Sequence, residues 1–310
     1  MKNIALRCLR TAFVLGALLI VSSCSKSDSD ENLPPNPEEP TIDLESQQIP
    51  ILISTGIWTR ATDTSYEEGD KVGIYVVNQE KVKQQLLVEG NHVDNMMFKL
   101  TNGKWEPKEP IYWKDDKTIA DFYCYYPYIP SIDNLELPFS VSKDQSEEAN
   151  YKASDFLWGK SLGVAPTEEP VQLTTNHVMS NLFIYIKAGK GYKQDEIDAF
   201  EKKVVICNTK PNATINLSTG IAHPVGAVSN ITPLKIDEYY RALLVPQEVQ
   251  SSDFIKLTMN GKDYLLKQSI LLKSNKQYKC TLTVNRVSNG FDVNIGEWIE
   301  DDMDYGGTVE

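Results

Sequence analysis

From residue 49 onward the apolar and polar positions of this chain repeat with a period of two. Ile49, Ile51 and Ile53 alternate with Pro50, Leu52 and Ser54. Val72, Ile74 and Val76 alternate with Gly73, Tyr75 and Val77, just after the acidic turn EEGD at 67–70. An extended chain points successive side chains to opposite faces, so each such run predicts a strand. The same habit marks residues 119–126, 182–186, 204–207, 242–245, 255–259, 264–267, 278–284 and 291–295. Asn260-Gly261 joins two of these runs and predicts a type I′ hairpin, because both residues tolerate the left-handed backbone that turn requires. Only residues 194–203 (QDEIDAFEKK) read as helical, and the stretch is short.

Many short strands, punctuated by Gly and Pro, predict an all-β protein built of sandwiches rather than a parallel α/β sheet. The length available exceeds what one sandwich needs, so two are expected, at 49–160 and 161–310. The polar stretch between about 145 and 170 (Ser146, Glu147, Glu148, Pro166, Glu168, Glu169, Pro170) is the expected joint. No internal repeat of fixed short period is present.

Residues 1–48 have a different pattern. Lys2, Arg7 and Arg10 precede an apolar run at 11–21 (TAFVLGALLIV), which has signal-peptide length and is too short to span a bilayer. Val21-Ser22-Ser23-Cys24 follows. Small residues before a cysteine form the lipobox of a bacterial lipoprotein, so residues 1–23 read as the signal peptide and Cys24 as the acylated residue. The chain is therefore expected to be secreted and tethered to a membrane by its lipid. Residues 24–48 read as an acidic tether. Prolines 34, 35, 37 and 40 keep it extended, and it has too little apolar surface to order itself.

Composition changes this picture in two places. The 310 residues carry a net charge of −12, and loss of the basic signal makes the mature chain more acidic still. Such a chain repels phosphate backbones, which argues against nucleic acid as a partner. Of five cysteines, Cys8 leaves with the signal and Cys24 is acylated. Cys124, Cys207 and Cys280 then remain, an odd number with no CxxC spacing. They read as buried free thiols, with a Cys207–Cys280 bridge left open.

Candidate chemistry is sparse. His92, His177 and His223 show no metal-ligand spacing, and His177 reads as a hydrogen-bonded structural histidine opening a strand. Residues 302–306 (DMDYG) are partly like a calcium loop but lack its later ligands and closing Glu. Asp115-Asp116 reads as a turn. No GxSxG, HExxH, P-loop or GxGxxG occurs, and neither an enzyme, a cofactor nor a metal is indicated. Trp105, Tyr112, Trp113, Tyr123, Tyr125, Tyr126 and Tyr128 have faces that could stack on sugar rings, although packing is the commoner use of such residues in a sandwich. Arg60, in the small-residue stretch TRATDT, has the surroundings of a trypsin-like cleavage site, although on spacing alone a plain surface arginine is the commoner reading.

Taken together, TRATDTSYEEGDKVGIYVV (59–77), DFYCYYPY (121–128), NHVMSNLFIYI (176–186), YRALLVPQ (240–247) and KQYKCTLTVNRVSNGFDVNIGEW (276–298) resemble the fimbrillin family of Bacteroidales, the subunits of type V pili. The resemblance implies two transthyretin-like β-sandwich domains in tandem. It also implies a subunit of a surface fimbria with an adhesion or biofilm role, exported as a lipoprotein through the outer membrane. An arginine-specific protease would cut at Arg60-Ala61, removing the first strand. Other fimbrial subunits would be the partners, joined by β-strand exchange. Phe291, Val293, Ile295, Trp298 and Ile299 are the donor-strand candidates. The acidic end after Trp298 leaves open whether this segment donates or only closes the second domain. The alternative is a surface lipoprotein that binds glycans or host ligands and never polymerises.

Overall fold

The computed structural model describes residues 48–57, 65–288, 290–295 and 299–300. The signal peptide, Cys24, nearly all of the tether, Arg60, Ala61, Trp298 and the calcium-like stretch 302–306 lie outside the described residues.

The first half contains β1 (Ile53–Ile57), β2 (Lys71–Asn78), β3 (Val93–Thr101), β4 (Lys104–Pro107), β5 (Ala120–Tyr126), β6 (Glu136–Ser140), α1 (Glu148–Lys152), β7 (Leu157–Val164) and β8 (Val171–His177). The second contains β9 (Ser180–Ala188), α2 (Gln194–Ala199), β10 (Lys202–Thr209), β11 (Asn212–Asn216), β12 (Ala222–Val225), β13 (Ser229–Ile231), β14 (Leu234–Ile236) and β15 (Tyr239–Leu244). It ends with β16 (Gln247–Met259), β17 (Lys262–Leu272), β18 (Gln277–Val287), β19 (Gly290–Ile295) and β20 (Ile299–Glu300).

Seven strands form the first sheet, in the order β1-β8-β7-β5-β2-β3-β4. The sheet curls so that its ends approach. Pro50 bridges Tyr112 antiparallel, with Ile51 N–H donating to the Ile111 carbonyl and Trp113 N–H to the Ile49 carbonyl. Inside the curl lies a separate core, including Ile51, Ile53, Val72, Ile74, Phe98 and Phe122. The outer face of the same sheet is covered too. Tyr75, Val77 and Tyr125 enter a larger core with Leu182, Ile206 and Leu282 of the second half. Burial on both faces explains why residues 72–77 are an almost unbroken apolar run. At Gly73 an added Cβ would come within 2.1 Å of the Tyr125 ring, so the close ring-to-backbone approach needs glycine.

The second sandwich packs the sheet β14-β15-β9-β18-β19 (with β20 also on β18) and the sheet β13-β10-β16-β17. A small sheet, β12-β11-β6, lies beside them. Asn260 (φ 50°) and Gly261 (φ 74°) both take the left-handed backbone of the expected hairpin between β16 and β17.

The fold is all-β, as expected, with corrections to its parts. The expected division at residue 160 falls inside β7. Strand β6, from the first half, pairs with β11, and the chain then returns to add β7 and β8 to the first sheet. The polar stretch at 145–170 therefore holds α1 and β7 rather than a linker. His177 ends β8 instead of opening the next strand. The helix α2 stops at Ala199 because Phe200 is extended, and Lys202 Nζ takes the Ile197, Asp198 and Phe200 carbonyls at its C-terminal end.

Candidate functional site

Strand β1 is the edge of the first sheet. It runs parallel to β8 in the register Ile53↔Val171 to Ile57↔Thr175, and Val171 N–H donates to the Leu52 carbonyl. Alternation sends Ile51 (2% exposed) and Ile53 (6%) into the core, while Leu52 (44%) faces out. The stretch 49–57 thus closes a seam, with 111–113 on one side and β8 on the other. Taking it away would uncover the backbone groups of both borders and empty two isoleucine sites. Burying an isoleucine contributes about 1.5–3 kcal/mol, so the pair is worth about 3–6 kcal/mol. That is comparable with the whole stability of a small domain, and such a seam is strongly driven to be refilled.

Strand β19 is the edge of the other large sheet. It turns back on β18 in the register Val287↔Gly290 to Leu282↔Ile295, and β20 adds Lys279↔Ile299. Val293 packs against the large core. Phe291, Val293, Ile295 and Ile299 therefore pair within their own chain in this structure.

The remaining candidates do not converge. His92 Nε2 contacts the Tyr112 carbonyl at 2.7 Å, His177 Nδ1 lies 2.8 Å from Asp155, and His223 is exposed on β12. Asp115 accepts backbone N–H bonds from Lys117 and Thr118 and the Thr118 hydroxyl, which lower its pKa to about 2. No cluster of His, Cys, Asp or Glu suited to a metal occurs among the described residues. Cys124, Cys207 and Cys280 are free and buried, with no Cys207–Cys280 bridge, and burial pushes the Cys280 thiol up to about 12. Of the aromatics, Trp113 and Tyr125 are buried packing residues, and Trp105 packs edge-on against Tyr66.

Sequence reasoning missed one feature. A cavity of about 230 Å³ opens where the end of β5, α1 and β8 meet β9, β15 and β18. Arg241, 8% exposed, lines it, its guanidinium 4.2 Å above the Tyr151 ring. The His177–Asp155 pair lines it as well. Tyr126 forms part of the wall, its hydroxyl 3.3 Å from Asp70; burial first, then that carboxylate, raises its pKa to about 12. The one available signal was the lone charge in the apolar run YYRALL.

A curled sheet with its own core and a second sandwich beside it place the chain in the class of all-β sandwich proteins. The chain belongs to the fimbrillin-like family, whose profile matches residues 59–298. It is 29% identical over 225 residues to a Bacteroides uniformis protein described as the fimbrium subunit Fim1C, covering 71% of this chain and 67% of that one. The fold is shared with a crystal structure described as a cell adhesion protein of Bacteroides ovatus (TM-score 0.65, 18% identity, 81% of this chain and 97% of that one). It is shared also with one from Bacteroides uniformis (TM-score 0.61, 23% identity, 82% and 97%). At these identities the likeness is one of fold. The family match and the Bacteroides uniformis relative together support a fimbrial role at the cell surface.

Proposed function

We infer that this chain is a structural subunit of a cell-surface fimbria that assembles by strand exchange. In this reading Cys24 carries the lipid that takes the precursor to the outer membrane. An arginine-specific protease cuts at Arg60-Ala61, in the segment directly after β1. The strand then leaves, and another subunit's extended segment fills the seam between β8 and residues 111–113 by β-augmentation. The donor segment is the C-terminal one, Phe291, Val293, Ile295, Trp298 and Ile299, which must leave β18 to reach a neighbour. A head-to-tail contact of this kind does not close on itself and gives a filament.

The observation that carries this reading is the placement of residues 49–57. They fill a two-sided seam with Ile51 and Ile53, yet they precede Arg60 in the chain and would no longer be covalently joined to the rest after the cut. To test it, the lipid-free precursor is treated with an arginine-specific protease, then followed by N-terminal sequencing and electron microscopy. A product starting at Ala61 that forms filaments is expected. The same product remaining monomeric with β1 still seated would sink the reading. Deleting residues 291–310 should leave a folded chain that is cut but does not polymerise.

A further inference from the structure

We propose that the cavity between the two sandwiches is a binding site for one neutral sugar unit, a hexose or N-acetylhexosamine of a glycan chain. The inference does not depend on strand exchange. Three properties of the cavity point to it. First, its lining is partly aromatic and partly aliphatic, with Tyr66, Tyr126 and Phe183 beside Leu157, Met179 and Leu243. Sugar rings present C–H faces that pack on aromatic rings, and an N-acetyl methyl suits an aliphatic lining. Second, hydrogen-bonding groups of both senses surround it, including the amides of Asn181, Asn275 and Gln277. A polyol both donates and accepts, and side-chain amides match that mixture. The Asn181 Oδ1 is enclosed and has no hydrogen-bond partner, so a turn of this side chain toward the cavity would let it accept from a ligand hydroxyl.

Third, the charges around the cavity are largely committed. Lys152 pairs with Glu67 and with Glu148, Asp155 pairs with His177, and Arg241 stacks on Tyr151. Asp70 already accepts from the Glu67 backbone N–H and the Tyr126 hydroxyl. Among the described residues, Lys276 at the rim is the exception. A site with its charges tied to one another favours a neutral ligand over a strongly charged one. The cavity, of about 230 Å³ and partly open to solvent, has room for a sugar ring, and neighbouring sugars of a chain would extend through the opening.

The test is a titration of the folded precursor with methyl glycosides of glucose, galactose, mannose, N-acetylglucosamine, N-acetylgalactosamine and glucuronic acid, read by two-dimensional NMR. At least one neutral glycoside should shift the side-chain amide signals of Asn181, Asn275 and Gln277 and saturate. Asn181→Ala and Phe183→Ala, each checked for an unchanged fold by circular dichroism, should each weaken that binding about tenfold, as expected for one lost hydrogen bond or stacking face. No shift with any neutral glycoside would overturn the proposal. So would shifts that survive both substitutions, or binding by the glucuronide alone, which would mark an anion site at Lys276 and Arg241 instead.

Discussion

Strands β1 and β19 are both sheet edges, and they are held in opposite ways. The partner of β1 is distant: Ile53 lies opposite Val171, and the stretch before it reaches across to 111–113. The partner of β19 is adjacent, through the turn joining Val287 to Gly290. Strand β1 belongs to a small core of its own, where Ile51 and Ile53 are almost fully enclosed. Strand β19 contributes Val293, partly buried, to the margin of the large core. A cut behind β1 would leave it held by noncovalent contacts alone, whereas β19 stays tied to β18 by the chain itself. The first arrangement suits a strand that is to be replaced, and the second a strand that is to be lent.

Four measurements sharpen or break that contrast. The largest effect should come from a chain beginning at Ala61. Without Ile51 and Ile53 it should lose about 3–6 kcal/mol in denaturant unfolding unless it assembles. A synthetic peptide of residues 48–57 should restore the loss. Equal stability of the long and short chains would show that β1 fills no seam. Next, Ile53→Ala should cost about 2–5 kcal/mol, while Val293→Ala, at a partly exposed position, should cost about 1 kcal/mol or less. Similar values at the two sites would erase the distinction between the edges.

A third substitution probes the second sandwich away from either edge. The buried Gln145 amide bonds both the N–H and the carbonyl of Leu243. Gln145→Ala leaves those groups unpaired and should cost about 1–3 kcal/mol without changing the rate at which β1 is released. A faster release would mean that the two cores are coupled at the seam. The smallest effect concerns Asp115, in the turn after residues 111–113 that border β1. Its folded pKa lies below its unfolded value, so its contribution is present above about pH 4 and fades as pH falls toward about 2. In Asp115→Ala, part of the acid-side drop in stability should disappear; an unchanged acid limb would remove this turn from the account.

The strand-rich character was legible because alternation is local. Residues 49–53, 72–77, 119–126 and 278–284 all lie in or beside strands, and Asn260-Gly261 forms its hairpin. Strand β3 was not legible: Asn95 has φ 40°, and the pairing shifts between Ile74 and Val76, so its apolar positions lose their period. The crossing of β6 to β11 and the return of β7 and β8 to the first sheet left no mark either, since pairing over such separations is decided by three-dimensional packing. The same limit applies to function. The isoleucines of the seam were readable as a strand, but not the parallel partner that makes them a closure. The cavity is assembled from Tyr66, Asp155, Asn181, Arg241 and Gln277, residues too scattered for any spacing to announce.

The two-sided seating of residues 49–57 has a mechanical meaning. A load carried by the chain ahead of residue 48 pulls along the axis of the strand. It meets the Trp113-to-Ile49, Ile51-to-Ile111 and Val171-to-Leu52 bonds (2.9, 2.9 and 2.8 Å) together, in shear. An antiparallel edge strand peeled from its free end would instead give way one bond at a time. A load applied there would thus be shared among these three bonds at once, and forced extraction would be slow because its rate is set by the barrier to breaking them together. A strand held in shear against tension from one side would be disconnected by a single hydrolysed peptide bond on the other.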